Sequence, residues 1–206
     1  TNLLTIQGKP LFSYRRIIYL LSELLDLAGL QAVLSRTEEN TASIVRSEVA
    51  TDYVKMQMPD AYLNLPNMIQ SLLVSGCCVK LASPRLPEYS MLLFPDLRAL
   101  EGVIKGALSD YGMHTDGQED GFGTFFTVSS GGAILKEAFA TVVAKPQIVS
   151  ALQDAYSFFR KHRHGLFHMS DFADASRKID TLEKALSLSK DTYIIINNIF
   201  VAKKAV

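Results

Sequence analysis

Between positions 160 and 168 the chain gathers Arg160, Lys161, His162, Arg163, His164 and His168, three cations and three of its four histidines in nine residues. The formal net charge is zero, so a local basic cluster of this density needs a specific reason. Arg163 and His168 are separated by four residues. A guanidinium can grip a phosphate through its planar fork, and an imidazole can move a proton near neutral pH. That pair is a minimum set for cleaving RNA without a metal. On an unbroken helix, residues five apart point about 140° apart, so the two side chains converge only if the helix loosens between them, which Gly165 is placed to allow. Two other readings compete. His164 and His168 have the four-residue spacing of a helical zinc pair, although a third ligand would have to be Glu101 or Asp171. A basic helix end is also a plain answer to the helix dipole.

The elements that must position these residues read as mostly helical. Residues 1–12 read as extended with a turn at Gly8, Lys9 and Pro10, and residues 14–27 carry helical apolar spacing that Gly29 can end. Asn40 or Thr41 can cap a helix that Pro59 stops, and a second helix is expected over residues 67–81. Pro95 and Asp96 open a third, with Leu97, Leu100, Ile104, Leu108 and Tyr111 on one stripe and Gly112 at its end. Glu101 falls on that stripe, so its carboxylate is expected on the core side. A buried carboxylate is costly unless a cation meets it, and Arg163 is the expected partner. Residues 122–135 suggest a short hairpin around Gly131 and Gly132. Pro146 starts the helix that runs into the basic cluster and is expected to fray near Gly165. Ser170 or Asp171 is expected to cap a last helix carrying Phe172, Ile179, Leu182, Ala185 and Leu186, followed by an apolar segment over residues 193–201. Tyr156, Phe158, Phe159 and Phe167 surround the cluster and could keep it dry or stack a base.

Composition sets the frame. With 206 residues, 48% apolar and 20% charged, the chain is globular and not disordered. No apolar run is long enough for a membrane helix. Cys77 and Cys78 are adjacent and poorly placed to staple a fold, which points to a reducing, cytoplasmic setting and to two small core hydrophobes. The chain opens on Thr1, and its first elements lack sheet partners, so it is expected to be a piece of something longer.

The segment from Arg163 to Met169 resembles the Arg-x4-His motif of HEPN ribonucleases. Three further stretches, residues 4–11, residues 74–82 (Val74, Ser75 and Gly76, then Cys78 to Ala82) and residues 121–124, closely resemble the RnlA/LsoA toxins of the RNase LS type, with LsoA the nearest member. The resemblance spans essentially the whole chain. It implies a mainly α, HEPN-like helical domain with a small β-hairpin over residues 41–206, preceded over residues 1–40 by the α+β tail of a TATA-binding-protein-like repeat. It implies a toxin endoribonuclease of a type II toxin–antitoxin system: metal-independent, cofactor-free, cytoplasmic, acting on mRNA in defence against phage. Its implied partners are RNA, a cognate antitoxin and the phage antitoxin Dmd, the last docking on the toxin domain, with a homodimer as the active form. The family's arginine, histidine and upstream glutamate fall on Arg163, His168 and Glu101. Arg160, Lys161 and His164 are candidate RNA contacts, with His162 supporting or incidental. The rival expectation is a non-catalytic HEPN-like module that binds a nucleotide or a protein.

Overall fold

The structure is a computed structural model that describes residues 39–83, 85–169, 171 and 176–205, with a few isolated positions before residue 30. The expected extended segment, the helix over residues 14–27 and the TATA-binding-protein-like tail lie outside the described residues. So do Ser170 and Phe172.

The described part is helical apart from one hairpin. Helix α1 spans Glu39–Gln57, α2 Asn67–Leu81 and α3 Phe94–Ser109. Strands β1 (Phe126–Ser129) and β2 (Gly132–Leu135) pair antiparallel with Phe126 opposite Leu135. Then come α4 (Glu137–Val143), α5 (Pro146–Phe167) and α6 (Leu182–Lys204). Proline placement explains two of the starts, because Pro95 and Pro146 occupy first-turn positions where no backbone donor is needed. Among the described residues, no helix is long and apolar enough to cross a membrane.

The expected stripe of α3 is the core: Leu97, Leu100, Ile104 and Leu108 are each 2% exposed or less and pack with α2, α5 and α6. Gly76 of α2 lets the start of α3 approach, since a methyl group there would stand 2.9 Å from Pro95 Cβ. At the same crossing Lys80 and Asp96, both fully buried, form an ion pair of 2.6 Å, and Tyr193 of α6 donates its hydroxyl to Asp96 over 3.5 Å. A second, smaller apolar cluster of Tyr89, Leu92, Leu93, Leu97, Ile179 and Ala185 lies beneath the end of α5 and receives Leu166 and Phe167.

Three expectations need correction. Helix α5 does not fray at Gly165 but runs through it to Phe167. Gly165 is instead the place where Arg177 crosses the helix, since a Cβ there would lie 3.4 Å from Arg177 Cδ and Nη1. The last helix is capped by Thr181, whose side chain accepts from Lys184 N, and not by Ser170 or Asp171; it also absorbs residues 193–201. Residues 177–181 are not helical, and Ile179 among them is tied to a distant segment: Ile179 O accepts from Tyr89 N, and Ile179 N donates to Glu88 Oε1. Phe122 sits in a 3-10 turn, Gly121–Thr124, outside the hairpin.

Candidate active site

The last two turns of α5 sort the basic cluster by rotation. His162 points inward and is 4% exposed, whereas Arg160, Lys161, Arg163, His164 and His168 are exposed. His168 is the residue at which the helix stops. Its N–H donates to His164 O over 3.3 Å, but its φ of −117° and ψ of 130° are extended. The turn away from the helix axis cancels the 140° offset, and Arg163 Nη1 donates to His168 Nε2 over 3.2 Å. Arginine can only donate, so His168 in this arrangement is neutral with its proton on Nδ1. The His164 ring lies 4.6 Å from the His168 ring, centroid to centroid.

Behind this pair, the buried His162 Nδ1 accepts from Arg177 Nη2 over 3.2 Å, and Arg177 Nη1 donates to Lys161 O over 3.5 Å. Burial first, then the neighbouring Arg177 and Lys161 charges, hold the His162 pKa down at about 4. No local spacing announces this second arginine–histidine pair, because Arg177 lies fifteen residues from His162. A groove of about 530 Å³ runs alongside, lined by Phe167, His168, Met169, Arg177, Lys178 and Glu88 among others.

Glu101 is not where its spacing pointed. Its side chain is 33% exposed and pairs with Lys105, one turn along α3, at 3.3 Å. The expectation of a core-facing carboxylate held by Arg163 is therefore replaced. It is Asp96 that is buried and Lys80 that meets it. Glu101 instead lies at the edge of the buried face of α3, half-buried and seven residues beyond Phe94, whose ring meets Phe167 edge-on at 5.9 Å. It therefore stands about 10 Å along α3 from the point where that helix touches the end of α5. The aromatic surround also divides. Tyr156 and Phe159 belong to the core with Phe122 and Phe126, while Phe158 and Phe167 are half-buried. Among the described residues, no three His, Cys, Asp or Glu side chains converge as metal ligands would.

Residues 46–170 match the family described as RNase LS, bacterial toxin DBD domain. The chain belongs to this family. It is 44% identical over 201 residues to the mRNA endoribonuclease toxin LS of Escherichia coli K12, a match covering 98% of this chain and 56% of that protein. It is 22% identical over 178 residues to the mRNA endoribonuclease LsoA of Escherichia coli O157:H7, covering 86% of this chain and 49% of that one. Of these two, the K12 toxin is the more similar, which reverses the expectation that placed LsoA nearer. The chain thus spans about half the length of these relatives. The fold resembles a crystal structure of Escherichia coli LsoA in complex with the T4 phage antitoxin Dmd, with a TM-score of 0.63 at 20% identity over 90% of this chain and 71% of that one. The mainly helical RNase LS toxin fold is therefore established for this chain.

Proposed function

We propose that the protein is a metal-independent toxin endoribonuclease cleaving mRNA at the end of α5. The observation that carries this reading is the 3.2 Å bond from Arg163 Nη1 to His168 Nε2 at the exposed end of α5. An RNA phosphate entering this site competes for the guanidinium, which holds non-bridging oxygens and the charge that gathers on them in the transition state. Releasing the guanidinium leaves the Nε2 lone pair of His168 available to take the ribose 2′-hydroxyl proton. The 2′-oxygen then bonds to phosphorus, the bond to the 5′-oxygen breaks, and that oxygen leaves with a proton. The products are a 2′,3′-cyclic phosphate and a 5′-hydroxyl end.

Two protons move, and each chain supplies one Arg163–His168 pair. A homodimer in which two such pairs face one substrate supplies the second proton carrier. Glu101, half-buried and paired with Lys105, takes the role of the family's upstream glutamate by orienting the cations of the assembled site. Arg160, Lys161 and His164 make accessory contacts to RNA. The toxin is neutralised by a cognate antitoxin and by the phage antitoxin Dmd, and it acts in the cytoplasm against phage-infected cells. The support for those partners is the likeness to LsoA, whose structure contains Dmd.

The test is cleavage of an mRNA in EDTA by the wild-type protein, His168→Ala and Arg163→Gln. Loss of a positioned acid–base group is expected to slow cleavage by about 10²–10⁴-fold, with cyclic phosphate ends on the wild-type products. Equal cleavage by all three proteins would remove the catalytic assignment.

A further inference from the structure

A second groove, of about 590 Å³, lies on the other side of the basic cluster, between α5 and the tip of the hairpin. Its hairpin wall is the turn Ser129, Ser130, Gly131 and Gly132, and its helix wall includes Phe158, Arg160 and Lys161. This turn is fixed to the helix. Ala133 N donates to Ser157 Oγ over 2.7 Å, and Leu135 N donates to Gln153 Oε1 over 3.0 Å. Gly132 is required at the seam: its φ is +122°, and a side chain there would begin 3.0 Å from Ser157 Oγ. The groove is thus a built feature held open by backbone donors on one side and a helix on the other.

Arg160 and Lys161 are exposed and make no ion pair among the described residues, although Asp154 lies in the same wall. Arg160 precedes Arg163 by one turn, so their Cβ atoms are about 5–6 Å apart on adjoining faces. The cations therefore run in an unbroken row from the hairpin groove to the Arg163–His168 pair. Hydroxyls of Ser129 and Ser130 border it, and the half-buried Phe158 ring, packed at 4.3 Å on His162, forms an apolar floor. Exposed cations beside serine hydroxyls and an aromatic surface suit a single nucleic-acid strand, whose phosphates meet the cations while a base meets the ring.

We infer that the groove between α5 and the Ser129–Gly132 turn holds the unpaired RNA strand flanking the cleaved bond, with Arg160 and Lys161 on its phosphates. This rests on the ribonuclease reading above and extends it from the reacting phosphate to its neighbours. The test uses a 2′-O-methyl oligonucleotide, which lacks the attacking hydroxyl, with affinity followed by fluorescence anisotropy from about 50 to 200 mM salt. In single strands each lost phosphate contact lowers the salt slope by about 0.7, so Arg160→Gln/Lys161→Gln is expected to flatten it by about 1.4. Its affinity deficit relative to wild type then shrinks about sevenfold across that salt range. Ser130→Asp, an exposed change on the opposite wall, is expected to weaken binding as well. Unchanged slope in the double variant, or unchanged affinity in Ser130→Asp, overturns the groove assignment. So does a result in which these variants weaken binding of an acidic protein and leave the oligonucleotide unaffected. Cleavage of the matching unmodified RNA by the wild-type protein is scored separately: its absence counts against the ribonuclease reading and not against the groove.

Discussion

Acidification should unfasten this protein from within α5, and the responsible group is His162. An ordinary histidine titrates near 6.5, whereas burial and the adjacent Arg177 and Lys161 hold His162 down at about 4. The folded state therefore resists protonation and the unfolded chain accepts it. The stability linked to this group is fully present above about pH 6.5 and is lost as pH falls toward 4. A difference of about 2.5 units corresponds to about 3 kcal/mol, a large part of the 5–15 kcal/mol that stabilises a typical domain. Charging His162 also sets a cation against Arg177 Nη2, which bonds the same ring at 3.2 Å, and Arg177 and Lys178 line the groove beside His168. Denaturant unfolding from pH 4.5 to 8, compared between wild type and His162→Gln, isolates the effect, because glutamine can still accept from Arg177 but does not titrate. The wild type should lose about 2–3 kcal/mol more than the variant between pH 6.5 and 4.5. Parallel pH profiles for the two proteins would refute this account of the helix end.

Two further outcomes follow from the packing. Lys80→Met strands a fully buried Asp96 with only the 3.5 Å Tyr193 hydroxyl, so it should cost about 3–5 kcal/mol, or about 6–20 °C in Tm by calorimetry. Lys80→Met/Asp96→Leu should recover most of that loss, and a single variant as stable as wild type would contradict the pairing. Gly132→Ala forces a Cβ into positive φ at 3.0 Å from Ser157 Oγ, so about 1–3 kcal/mol should be lost in thermal unfolding.

The fold was legible where a short local signal decides the outcome. Pro95 and Pro146 mark the openings of α3 and α5, and the apolar run before Pro84 is α2 with the expected bounds. It was illegible where the deciding partner lies far along the chain. Serine and aspartate at 170 and 171 carry cap chemistry, yet the last helix opens at Leu182 behind Thr181, just after Ile179, which is bonded to Glu88 and Tyr89 about ninety residues away. Helix α4 ends on Ala144 at a φ of 54°, without the glycine that would announce it.

The misreading of Glu101 has a similar cause. The buried arc of α3 is broad, taking in Asp96, Leu97, Ala99, Leu100, Val103, Ile104, Ala107 and Leu108, and Glu101 falls one step beyond its edge. The rule that a buried carboxylate needs a cation held, but for Asp96. Its visible sign was Lys80 at the end of an apolar helix, a residue almost never fully buried unless paired.

Within the basic cluster, sequence names the residues but cannot divide them between core and surface, because one helical step decides it. Arg163 faces solvent and reaches forward to His168; His162, 100° around, faces the core and is held from behind by Arg177. The two arginine–histidine pairs leave one turn of the helix about 100° apart. The inner pair keeps its histidine neutral, with the His162 pKa held down at about 4, and the outer pair stands exposed on the same turn of the helix. His162, expected as supporting or incidental, is thus the histidine that anchors the inner side of that turn through Arg177.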